Sequence, residues 1–136
     1  MITEDYCSFE LAKLLKQKGF DEFTLSYYEV DTQYGDQECC IRYCQQVLWK
    51  NSQMSENEFS RPTIQMALKW LRMVKNIYIS IRLNGFADDT TNERLWWFVD
   101  VLDYNTQEWM DNDIQADDYN KAAEDAILFA LNYLKH

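Results

Sequence analysis

The sequence predicts an α+β fold. Three segments repeat their apolar residues with a helical period, two pairs of segments alternate with a period of two, and their order is αββαββα. That order implies a single domain over residues 1–136, with about four mainly antiparallel strands packed with three helices. Ser8 is placed to cap a first helix over Phe9–Lys18, whose Leu11, Leu14, Leu15 and the stem of Lys18 share one side. Gly19 stands where a left-handed residue ends such a helix. Thr24–Val30 and Cys39–Trp49 then read as paired strands around a Tyr34-Gly35-Asp36 turn. The second helix starts near Pro62-Thr63, because Arg61 precedes a proline and is pushed out of the α region, and runs to about Lys75. Ile64, Met66, Ala67, Leu68, Trp70, Leu71, Met73 and Val74 fill about 220° of its circumference, which predicts a heavily covered helix. Ile77, Ile79, Ile81 and Leu83 alternate with Tyr78, Ser80, Arg82 and Asn84, the pattern of a strand with one face on a core. Leu95–Tyr104 is its expected hairpin partner. Asp117-Asp118 announces the third helix, from Tyr119 to about Leu134. Its small residues Ala122, Ala123, Ala126 and Ala130 permit close packing.

The chain has 136 residues, of which 47% are apolar and 15% aromatic, enough for one sizeable core. Three glycines and one proline exclude collagen-like, Gly-linker and Pro-linker designs. The opening Met1-Ile2-Thr3-Glu4-Asp5-Tyr6 has neither a basic nor an apolar signal region, and no apolar run approaches the ~20 residues that span a bilayer. The expectation is a cytoplasmic chain without a membrane partner, in which Cys7, Cys39, Cys40 and Cys44 are free thiols. Adjacent Cys39 and Cys40 point to opposite faces of a strand and are poor bridge partners.

Most catalytic chemistry lacks its parts. The one histidine, His136, is the last residue, so Ser-His-Asp and Cys-His arrangements have no base in the body of the fold. Cys39-Cys40-x3-Cys44 lacks the paired spacing of a zinc site. Three scattered glycines form no phosphate-cradling loop. Asp111-Asn112-Asp113-Ile114-Gln115-Ala116 imitates the start of a calcium loop, but Ala116 replaces the glycine and Ala122 the bidentate glutamate. No catalytic residue, cofactor or metal ligand set is therefore assigned. The carboxylates Asp88, Asp89, Glu93, Asp100 and Asp103 are what remains for a metal-assisted hydrolase, the alternative reading.

Charge is unevenly distributed. The net charge is −10, yet residues 61–84 hold five bases and no acid, while residues 85–118 hold ten acids and one base. Arg61, Lys69, Arg72 and Lys75 form a basic stripe. The surrounding acids repel nucleic acid, which makes it an unfavourable partner. Asp88, Asp89, Glu93, Asp111, Asp113, Asp117 and Asp118 form an acidic surface able to dock a basic protein. Trp70 and Trp97 read as core residues. Trp96, Phe98, Tyr104 and Trp109, if they share an exposed sheet face, would favour a protein partner or a homodimer.

The segments Ile2–Ser8, Ala12–Glu22 and Pro62–Arg72, with the closing Tyr119, Ala122, Ala126-Ile127 and Ala130-Leu131, give the chain a resemblance over nearly its whole length. It resembles the short uncharacterised proteins encoded by phages and mobile elements of gut Bacteroidetes. That resemblance implies a context of mobile DNA in the cytoplasm of an anaerobic host, and brings no activity, cofactor or catalytic residue. Several members of the group carry Glu-Val-His where this chain reads Met73-Val74-Lys75, so a role for that histidine has no counterpart here. The sequence thus points to an accessory protein that acts by protein–protein interaction. The contact candidates are Asp88, Asp89, Glu93, Trp96, Trp109, Asp111 and Asp113.

Overall fold

Why each predicted segment takes its form is visible at its ends. In the computed structural model, which describes residues 2–31, 38–83 and 96–134, α1 covers Phe9–Gln17 and the Ser8 hydroxyl accepts the Leu11 N–H at 3.3 Å. Gly19 follows in the left-handed region at φ +97°, where a side chain would be strained. The α2 helix covers Ile64–Val74, starting where the sequence predicts, and the Thr63 hydroxyl caps it by accepting the Met66 N–H at 3.1 Å. The α3 helix covers Tyr119–Tyr133, with the Asp118 carboxylate accepting the Lys121 N–H at 3.0 Å.

Seven strands form two antiparallel sheets, so the α+β class and the three helices hold. The strands are β1 (Ser26–Asp31), β2 (Glu38–Tyr43), β3 (Glu58–Ser60), β4 (Ile77–Leu83), β5 (Trp97–Asp103), β6 (Glu108–Met110) and β7 (Gln115–Ala116). Both expected strand pairs form, β1 with β2 and β4 with β5. The turn at Tyr34-Gly35-Asp36 and the loop that joins β4 to β5 lie outside the described residues. The three short strands β3, β6 and β7 add to the expected four.

The chain contacts gather into two compact units, the first reaching to Met66 with Leu134, the second spanning Ala67–Tyr133. In the first, the sheet order is β2-β1-β3, and Ala12 and Phe9 of α1 pack on Tyr28 of β1 and Phe59 of β3. The Phe9 ring meets Tyr28 and Phe59 edge-on at 5.6 and 5.5 Å between centroids. The buried Asn51 side chain finds partners there: it donates to the Phe20 carbonyl at 2.8 Å and accepts the Ser60 N–H at 2.9 Å. The Tyr28 hydroxyl donates to the Cys7 carbonyl at 2.6 Å.

In the second unit the order is β4-β5-β6, and β7 also pairs with β5. The α3 helix lies on β4, β5 and β7. Ala122, Ala123, Ala126 and Ala130 are fully buried beside Ile127 and Leu131, so the small-residue ladder serves the close approach that the sequence suggested. The α2 helix is covered along a narrower stripe than its composition implies. Ile64, Ala67, Trp70 and Leu71 are buried, whereas Met73 and Val74 at its end are exposed.

Candidate recognition face of the second sheet

Alternation along β4 and β5 divides this sheet into two chemically distinct faces. Residues directly opposite one another point the same way, so the register assigns each side chain to a face. Ile77 stands opposite Asp103, Ile79 opposite Val101, and Ile81 opposite Val99, and this is the face that α3 covers. The other face carries Tyr78 opposite Leu102, Ser80 opposite Asp100, and Arg82 opposite Phe98. Leu102 pairs in turn with Trp109 of β6, which completes a row of Tyr78, Leu102 and Trp109 across three strands.

That outer face is exposed. Trp109 retains 67% of its surface, and Tyr78 and Tyr104 are exposed beside it with ring centroids 5.8 Å apart. At the centre, Arg82 Nε donates to Asp100 Oδ2 at 2.8 Å while its guanidinium lies 5.6 Å from the Phe98 ring centroid. An exposed pair of this kind adds little stability but fixes the orientation of both groups.

A cleft of about 470 Å³ opens at the edge of the same face. Its origin is topological. β6 pairs with residues Val101–Asp103 of β5 and β7 with Trp97-Phe98, so the connecting residues Asp111–Ile114 pass the intervening Val99-Asp100 without pairing. Asn112 shapes that passage, accepting the Ile114 N–H at 3.1 Å and donating to the Met110 carbonyl at 3.3 Å. Trp109, Asp111 and Asp113 line the cleft together with Arg82, Phe98 and Asp100. Asp111 and Asp113 are exposed, and Glu108 lies close by in sequence. Among the described residues Arg82 is the one base lining the cleft, and it is already engaged by Asp100. Its described lining is aromatic and acidic.

Of the contact candidates, the structure brings Trp109, Asp111 and Asp113 to one cleft. Trp96 stands exposed just before β5, two residues ahead of Phe98. Asp88, Asp89 and Glu93 lie outside the described residues. The residues of the basic stripe are divided between the two units. Arg61 belongs to the first unit, where its guanidinium stacks 3.9 Å from the Tyr6 ring centroid and Nη1 donates to Ser26 Oγ at 3.2 Å. Lys69 and Arg72 are exposed on the second unit's part of α2, and the Lys75 ammonium folds to 5.6 Å from the Trp70 ring centroid. Trp70 is buried, as the sequence suggested, and Trp97 is half-buried with its ring edge-on to Tyr119 at 5.2 Å.

Of the carboxylates considered for hydrolysis, the two among the described residues, Asp100 and Asp103, are separated by the sheet itself. Asp100 faces outward, whereas Asp103, three residues on, faces inward and is 4% exposed. Asp103 accepts the Tyr133 hydroxyl at 2.8 Å, the Asn105 N–H at 3.0 Å and Asn105 Nδ2 at 3.2 Å. Burial opposes its ionisation, but these hydrogen bonds outweigh burial and hold its pKa below that of an ordinary aspartate. The same bond, with burial second, raises the Tyr133 phenol above its usual value. Among the described residues, no group of three or more His, Cys, Asp or Glu side chains is placed to hold a metal ion. All four cysteines are free, with Cys7 buried and Cys39 exposed on β2. No helix of the described residues is long and apolar enough to cross a membrane.

Sequence reasoning missed Tyr78, Arg82 and Leu102 as members of this face, and assigned Asp100 to different chemistry. The alternation that places them was legible, but the cross-strand register that joins them was not. Comparison with protein-family models, curated proteins and solved structures returned no match to this chain.

Proposed function

We propose that this chain acts by protein–protein recognition, and that the outer face of the second sheet binds a basic segment of its partner. The observation that carries the reading is the row of exposed Tyr78 and Trp109 flanking half-buried Leu102, bordered by a cleft at which, among the described residues, acids outnumber the one engaged base. Large aromatic side chains supply contact area at low entropic cost, and Trp and Tyr are enriched among residues that dominate binding energy. Asp111 and Asp113 supply a negative field that selects cationic partners and speeds their encounter. The resemblance of the Ile2–Ser8, Ala12–Glu22 and Pro62–Arg72 segments supports a role as an accessory protein of phages or mobile elements in the cytoplasm of their host.

The test is capture of host proteins on the immobilised chain at low and high salt, repeated with Trp109→Ala and with Asp111→Asn/Asp113→Asn. Recognition as proposed yields a basic partner that is released by salt and lost from both variants. A partner retained by both variants contradicts this face as the binding surface.

A further inference from the structure

We infer that the free edge of the first sheet, strand β2, joins a second copy of this chain, forming a continuous six-stranded sheet β3-β1-β2-β2-β1-β3. The surface differs from the recognition face and the inference does not depend on that reading. In the first unit β2 lies at the end of the order β2-β1-β3, and among the described residues no strand pairs with its outer side. An open row of backbone donors and acceptors is a template for another strand unless the edge is protected. This edge is poorly protected: Glu38–Tyr43 holds no proline and no lysine.

The side chains make the case for apolar burial. Tyr28 of β1 stands opposite Ile41 of β2 and is buried among Phe9, Ala12 and Phe59, so Ile41 belongs to the same face. Cys39 and Tyr43 share that face through their pairing with Val30 and Ser26. The α1 helix packs on Tyr28 of β1 and on β3 at the other end of it, and Ile41 and Tyr43 remain 44% and 67% exposed. The core face of the sheet therefore runs on beyond its helical cover. Val47, Leu48 and Trp49, which follow after Cys44-Gln45-Gln46, are exposed as well.

The occupant that fits is a copy of the same strand. An antiparallel register centred on Ile41 sets Ile41 against Ile41 and Cys39 against Tyr43 of the other copy. It keeps both apolar faces on one side of the joined sheet. These apolar residues and the six-residue edge offer on the order of 500–800 Å² per copy, and a standard stable interface buries about 800 Å² per partner. Charge permits the contact. The edge strand holds one acid, Glu38 at its start, and Cys39–Lys50 holds none in a chain with 23, so most of the surplus negative charge of each copy lies elsewhere. Arg42 on the opposite face is itself 3.9 Å from Glu29.

The experiment is sedimentation of the full chain across concentration at low and high salt, with Ile41→Lys and Tyr43→Lys alongside. The expected result is a reversible doubling of mass that strengthens with salt, as screening weakens the repulsion of two chains of net charge −10. Both lysine variants, altered at exposed positions, remain monomeric with an unchanged circular dichroism spectrum. In a Cys39→Ser/Cys40→Ser background, Ile41→Cys forms a disulfide-linked dimer on oxidation and the background alone does not. A chain that stays monomeric at every concentration, a dimer that survives both lysine variants, or no cross-link from Ile41→Cys overturns the inference. Salt also separates this inference from the proposed recognition, since binding of a basic partner weakens as salt rises.

Discussion

Replacing Asp103 by asparagine removes one charge from the inward face of the second sheet and leaves its shape unchanged. The carboxylate accepts three hydrogen bonds, from the Tyr133 hydroxyl, the Asn105 N–H and Asn105 Nδ2. They tie the end of β5 to α3 and to the turn before β6, which carries Tyr104 and leads to Trp109. Hydrogen bonds to a charged group are worth about 1.5–3 kcal/mol each, and an amide keeps one acceptor oxygen while turning an N–H₂ toward donors. With part of the network near solvent, Asp103→Asn costs about 2–3 kcal/mol. For a chain of this length that lowers Tm by roughly 6–10 °C.

Thermal melts followed by circular dichroism at neutral pH measure this directly, and pH gives a second reading. Because the folded-state pKa of Asp103 is depressed, its contribution is present above the unfolded aspartate value of about 3.9 and is lost as pH falls through the lower folded value. The melting curves of wild type and Asp103→Asn therefore converge in acid below about pH 4. Equal melting temperatures at neutral pH would show that the three hydrogen bonds contribute nothing net, and a gap that stays constant down to strong acid would show that the contribution does not come from the ionised carboxylate.

Other substitutions separate structure from recognition. Leu71→Ala empties a fully buried site on α2 and destabilises the fold by about 3 kcal/mol, measured by urea unfolding. Ser8→Ala deletes the hydroxyl that accepts the Leu11 N–H and costs about 1 kcal/mol in the same assay. Asp100→Asn breaks an exposed ion pair with Arg82, so stability changes by under about 1 kcal/mol, while the surface that a partner reads is altered.

The residues show why some of the fold was legible and some was not. Three helices announced themselves because each start carries a signal, Ser8, Pro62 and Asp117-Asp118, followed by a long periodic face. The strands β4 and β5 were legible because strict alternation of seven residues, Ile77–Leu83, and a run of aromatic and β-branched residues outweigh any helical pattern. The strands β3, β6 and β7 contain only two or three residues each, too few for a period to register.

Their boundaries were hidden as well. The turn before β6 places Gln107 at φ 59°, a left-handed conformation usually signalled by glycine or asparagine. The strand expected to continue to Trp49 stops at Tyr43. Beyond it Cys44 N–H still donates to the Leu25 carbonyl, but the next link to the sheet is the isolated bridge of Thr24 with Trp49. For the candidate site, Trp109, Asp111 and Asp113 stood out by residue type. Their union with Arg82 and Asp100 depends on a cross-strand register and on a gap in pairing along β5, which no local pattern encodes.

The most direct measurement titrates the captured basic partner into wild type and into Trp109→Ala by calorimetry at low salt. The indole lies on the surface, so its removal leaves the fold intact. A tryptophan at the centre of a binding face carries about 2 kcal/mol or more, which weakens affinity by roughly thirtyfold. A loss of that size supports recognition through this face. Equal affinity for both proteins contradicts it.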